Sequence, residues 1–134
     1  MQKDFDKSYP NVGSVLRKAG ADPDILAVVL FGSAARGEST LSSDIDVCIV
    51  LMPRTYEPAA LSHKKMSYAG ITDADISVFQ QLPLYIKQRV LREGKVLFCR
   101  DEDMLYDLAF RTIKEFEDFK HIHREYLSAV EHAR

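Results

Sequence analysis

The stretch Val28-Val29-Leu30-Phe31-Gly32-Ser33, then ten residues, then Asp44-Ile45-Asp46, decides how this chain is read. Ile25–Phe31 is a continuous apolar run with three β-branched residues, the pattern of a strand covered on both faces. Gly32 breaks it, and without a Cβ it lets the backbone come close to a phosphate. Ser33 adds a hydroxyl and a backbone N–H at the head of a helical turn over 34–38, where the dipole favours anions. A second strand, Asp44–Leu51, follows the loop 39–43 and ends before Pro53. Side chains alternate along a strand, so Asp44 and Asp46 share one face. Two carboxylates that close repel each other unless a cation lies between them. Magnesium suits them, being hard, oxygen-bound and commonly shared with substrate phosphates. Together these features predict an enzyme that works on a nucleoside triphosphate.

Working outward, the next chemistry-bearing residue is Asp75, on a third strand over Asp75–Phe79. If that strand lies beside the second, Asp75 is a third carboxylate of the same cluster. Two metal ions ~4 Å apart can then bind the attacking and leaving oxygens of an in-line displacement. Asp75 would hold the ion on the nucleophile side and help deprotonate an acceptor hydroxyl. Asp73, two residues earlier on the same face, competes for this role. Arg36 lies about one helical turn past Ser33 and offers a charge-assisted contact to the triphosphate, against the plainer reading of a solvated arginine.

The remaining periodicities supply a frame for these residues. A helix is expected over 9–19, with Val12, Val15 and Leu16 as its apolar patch and Gly20 and Pro23 closing it. A weaker helix covers Ala59–Tyr68. Leu82–Arg92 has helical spacing, with Pro83 in its first turn and Gly94 as its C-cap. Lys95–Cys99 is a short strand, and a long helix runs from Asp103 to about Val130, headed by the capping acids Asp101-Glu102-Asp103. The sum is a small α/β domain.

Composition sets the outer limits. A chain of 134 residues, 46% of them apolar, suits one folded domain with one core. No apolar run approaches the ~20 residues of a membrane span. The start, Met1-Gln2-Lys3-Asp4-Phe5-Asp6, has no apolar signal segment, so a cytoplasmic protein is expected. Cys48 and Cys99 have no CxxC spacing and read as small buried thiols. A net charge of -2 lacks the basic surplus of proteins that grip long nucleic acid. His63-Lys64-Lys65 reads as a solvated face, and His121 and His123, two apart on a helix, make a poor metal pair.

Gly32-Ser33, ten residues, then Asp44-Ile45-Asp46 resembles the signature of the polymerase-β-like nucleotidyltransferase superfamily. The likeness is nearest to minimal nucleotidyltransferase (MNT) domains, the antitoxins of HEPN/MNT toxin–antitoxin pairs. It covers about residues 25–100, and the family's third acidic residue matches Asp75. The resemblance implies a small mixed sheet with flanking helices and a long C-terminal helix. It implies AMP transfer from ATP to a tyrosine of a partner HEPN toxin, with Gly32 and Ser33 on the triphosphate, Asp44 and Asp46 on Mg2+, and Asp75 completing the site. Two other readings stand beside it: a non-catalytic antitoxin that blocks its partner by occlusion, and a nucleotidyltransferase for a small molecule or RNA end. The core consumes most of the chain, so the acceptor is expected from outside. The long helix offers either a docking surface for it or a cover for the domain's own core.

Overall fold

A computed structural model describes residues 10–32 and 45–133 of the chain. Ser33, Arg36 and Asp44, three of the six site residues read from the sequence, lie outside the described residues, as does the helical turn over 34–38. Among the described residues four strands form one sheet in the order β3-β2-β1-β4. β1 (Ile25–Phe31) runs antiparallel to β2 (Asp46–Leu51) and to β4 (Lys95–Cys99), whereas β3 (Asp75–Val78) runs parallel to β2. The sheet is therefore mixed. A parallel neighbour needs a crossover, and α2 (Pro58–Ala69) supplies it between β2 and β3. The other α-helices among the described residues are α1 (Pro10–Ala21), α3 (Leu84–Glu93) and α4 (Glu102–His132).

Both faces of the sheet are covered, which is why β1 reads as an unbroken apolar run. One face gathers Val12, Val15, Leu16 and Ala19 of α1 against Val28, Leu30, Val47 and Ile49, with Tyr68 of α2 buried beside them. The other packs Val29, Cys48 and Val50 against Phe79 and Val90, with Leu105 and Leu108 of α4 closing over them. Early in β1 the register slips between Ile25 and Ala27. That bulge sends Leu26 and Ala27 into the same cluster, where strict alternation would separate them.

Two expected boundaries move for local reasons. Leu82 stands before a proline, which disfavours helical backbone; it stays extended at ψ 147°, so α3 begins at Leu84 with Pro83 as its N-cap. The third strand stops at Val78 because Phe79–Gln81 form a 3₁₀ turn. Gln80 in that turn completes the sheet edge with its side chain. Its amide nitrogen donates to the Leu51 carbonyl at 2.9 Å, and its amide oxygen accepts from the Leu51 N–H at 3.1 Å. Asp101 caps α4 as expected, accepting from the Met104 N–H at 3.0 Å.

Candidate active site

Three strand ends converge at one edge of the sheet. β1 leaves the sheet at Phe31, while β2 and β3 enter it at Asp46 and Asp75. The ladder pairs Phe31 with Asp46 and Asp46 with Asp75, and the Asp75 N–H donates to the Ile45 carbonyl at 2.9 Å. Paired residues of adjacent strands project to one face, ~4.8 Å apart. Asp46 and Asp75 are thus neighbouring carboxylates on the face that α3 and α4 cover lower down, where Cys48 lies two residues on from Asp46. Burial falls off toward this end: Val47 to Leu51 are buried, Asp46 is half-buried and Asp75 is exposed. Asp73 lies in a bend before β3, so the ladder sets Asp75, not Asp73, beside Asp46.

Gly32 is fixed to its position by two separate requirements. Its φ is 74°, in the left-handed region where a side chain is strained. A Cβ there would also overlap a carboxylate oxygen of Asp46. The turn after β1 therefore leaves its backbone bare against the Asp46 carboxylate.

A pocket of about 310 Å³ opens at this place. Gly32 and Asp46 line one side; Ile86, Arg89, Val90 and Glu93 of α3 line the other. Arg89 Nε lies 3.4 Å from a Glu93 carboxylate oxygen, one helical turn away. These α3 residues were absent from the sequence reading of the site. The signal for them was slight: Val90 belongs to the apolar spacing of the helix, and Arg89 and Glu93 flank it on the same side.

The donors present fit a hard divalent cation. Asp46 and Asp75 offer carboxylate oxygens on one face, without thiolate or imidazole beside them. Among the described residues no set of three such side chains forms a metal group, and the third carboxylate of the expected set is Asp44. Cys48 shares the face but takes no part in this chemistry: burial pushes its thiol up to about 12, leaving it neutral. No helix among the described residues is long and apolar enough to cross a membrane.

The sequence of the chain matches the family "Polymerase beta, Nucleotidyltransferase" over residues 14–103. A relative in Methanocaldococcus jannaschii, named as a candidate protein adenylyltransferase, is 34% identical over 101 residues, 75% of this chain and 77% of the relative. The fold is similar to a chain of a toxin–antitoxin complex with AMP-PNP, at TM-score 0.63 and 22% identity, covering 91% of this chain and 97% of the other. It is likewise similar to a chain of a complex between a tri-AMPylated HEPN toxin of Shewanella oneidensis and an MNT antitoxin, at TM-score 0.62 and 21% identity, covering 97% and 98%. At these identities the structural likeness speaks for the fold. The match over residues 14–103, together with the relative at 34% identity, decides the family: the chain belongs to the polymerase β nucleotidyltransferase family.

Proposed function

We propose that this chain moves AMP from ATP to a tyrosine hydroxyl of a partner HEPN-family toxin and so acts as its antitoxin. The observation that carries this reading is the pairing of Asp46 with Asp75 beside the bare backbone of Gly32. It is supported by the relative named for protein adenylylation and by the folds shared with toxin–antitoxin complexes, one of which holds an ATP analogue. On this reading residues 1–134 work as one nucleotidyltransferase domain, with its core at about 25–100 and its C-terminal helix at about 103–130. Its place of action is the cytoplasm, where ATP is at hand.

Gly32 and Ser33 receive the triphosphate through backbone N–H groups and the Ser33 hydroxyl, with Arg36 adding a cation. Asp44, Asp46 and Asp75 hold Mg2+. A divalent cation held by these carboxylates would supply charge neutralisation for the phosphate oxygens. Asp75, exposed at the outer strand, faces the incoming tyrosine and accepts its proton. The tyrosine oxygen forms a bond to the α-phosphorus, the bond from that phosphorus to the bridging oxygen breaks, and pyrophosphate leaves with the electron pair.

Incubation of the chain and its co-encoded partner with α-labelled ATP and magnesium should label a tyrosine of the partner. Asp46→Asn should abolish the label and the magnesium-dependent gain in melting temperature that ATP brings. No label on an intact partner overturns the protein-acceptor reading. Neutralisation that survives Asp44→Asn with Asp46→Asn supports occlusion, the reading that the exposed apolar residues of α4 favour. Label on a small molecule or an RNA end, with the partner unmodified, supports the remaining alternative.

A further inference from the structure

We propose that Arg89 is a nucleotide-positioning residue: its guanidinium leaves Glu93 and grips the phosphates of ATP at the α3 wall of the pocket. This assignment rests on the nucleotide-binding reading above. Among the described residues lining the pocket, Arg89 is the single cation, while Asp46 and Glu93 are carboxylates and Asp75 adjoins Asp46. A triphosphate is strongly anionic, and a pocket walled by carboxylates repels it. Mg2+ on the strand carboxylates offsets that repulsion on one side only. On the opposite wall α3 brings Arg89, which can add compensating charge to that assigned to Arg36. A planar guanidinium is also the side chain best matched to phosphate oxygens.

The resting geometry permits this exchange. The Arg89–Glu93 contact spans 3.4 Å within one helix, with the two side chains 45% and 47% exposed. Ion pairs so open to water are weak and screened, and a phosphate competes with them readily. The backbone beneath is held firmly. Val90 is buried against the sheet, and Arg92 pairs with Glu117 of α4 at 2.7 Å. A Cβ on Gly94 would overlap the Val90 carbonyl and the Val29 side chain, so α3 meets the sheet there without a gap. It is Arg89, not Arg92, that lines the pocket, and it swings from a helix seated on the sheet.

The test compares binding of ATP and of adenosine, both with magnesium, in the full chain. Arg89→Gln should weaken ATP by about tenfold or more, the loss of a charge-assisted contact, and leave adenosine unchanged. Arg89→Lys should fall between. Glu93→Gln removes the competing carboxylate and should tighten ATP. In label transfer, Arg89→Gln should raise the KM for ATP more than it lowers kcat. Arg111→Gln, which breaks a similarly exposed one-turn pair with Asp107 on α4, is the matched control and should change neither ligand. Wild-type ATP affinity in Arg89→Gln overturns the assignment, as does an equal loss for ATP and adenosine, which would mark a distorted pocket. If the wild-type chain itself binds no ATP, the nucleotide reading fails and this assignment falls with it.

Discussion

At the scale of single residues, Gly32 ties the turn after β1 to the Asp46 carboxylate. Its φ of 74° and the Asp46 carboxylate packed against its Cα each exclude a side chain. Gly32→Ala should cost about 1–2 kcal/mol from backbone conformation alone. It should also displace Asp46, so nucleotidyl transfer should fall further than the loss of stability accounts for. Thermal unfolding beside a transfer assay separates the two: parallel, small losses would show that Asp46 keeps its place. That Gly32, Asp46 and Asp75 meet was legible from the glycine break after β1 and a third strand expected beside the second, whereas Asp44, the alternation partner of Asp46, lies outside the described residues. Choosing Asp75 over Asp73 needed the β2–β3 register, since both residues share parity. Arg89 was illegible for another reason. Its only tie to the site is that α3 crosses the sheet near Gly32, and no local pattern records a helix-to-strand approach of that kind.

At the scale of elements, a small polar cluster fastens the end of α1, the start of β1 and the face of α2. The Asp22 carboxylate accepts from Lys64 Nζ at 3.0 Å, from the Tyr68 hydroxyl at 2.8 Å and from the Asp24 N–H at 3.0 Å. Arg100 adds to it by donating to the carbonyls of Ala19 at 2.8 Å, Asp22 at 3.0 Å and Ile25 at 2.9 Å, which caps the end of α1. Burial raises the Asp22 pKa, but the bonds from Lys64 and Tyr68 outweigh it, and the net shift is downward from 3.8. Burial lowers the Lys64 pKa, but Asp22 and Asp24 outweigh it, and the net shift is upward from 10.5. A depressed carboxylate stabilises the fold above its unfolded pKa and ceases to do so as pH falls through its folded value. A raised lysine stabilises below its unfolded pKa and ceases to do so as pH rises through its folded value. Burial and Asp22 also raise the Tyr68 hydroxyl from 10.0, so the cluster contributes fully between pH 3.8 and pH 10.0. Asp22→Asn should cost about 1–2 kcal/mol at neutral pH, and the gap to wild type should narrow as pH drops below 3.8. Chemical denaturation across pH checks this; a gap independent of pH would show that the charge of Asp22 is immaterial. The elements themselves were readable, since β1 and β4 have their expected limits and the helices shift by only a few residues. What the sequence hid was the use of Lys64. It was read as part of a solvated face, yet it is paired with Asp22 and Asp24, some forty residues away, and long-range pairing leaves no mark on the local pattern.

At the scale of the whole molecule, α4 does two different jobs along its 31 residues, ~46 Å of helix. Its first half closes the core: Met104, Leu105 and Leu108 pack on the sheet, Thr112 and Phe116 are buried, and Glu117 holds Arg92. From His121 to Ala133 every described residue is exposed. That second half still carries Ile122, Tyr126, Leu127 and Val130, with Ile122 and Tyr126 each 65% exposed. The apolar residues of this helix were expected either to cover the core or to offer a docking face. The first half does the former while leaving Tyr106 and Phe110 exposed; the second carries an uncovered stripe of the kind a partner protein would bury. Substitutions on the two halves should therefore have opposite signatures. Phe116→Ala should cost about 3–5 kcal/mol of stability, because it empties a buried site. Ile122→Glu with Tyr126→Glu should change stability by no more than about 0.5 kcal/mol per site, as exposed positions do. If the stripe seats the acceptor protein, the double variant should weaken capture of that partner by about 2 kcal/mol or more and leave ATP binding untouched. Co-purification from the co-expressed pair, with ATP binding measured on the same variant, reads both arms. Undiminished capture would move the docking surface elsewhere on the chain and leave the second half of α4 without a part in recognition.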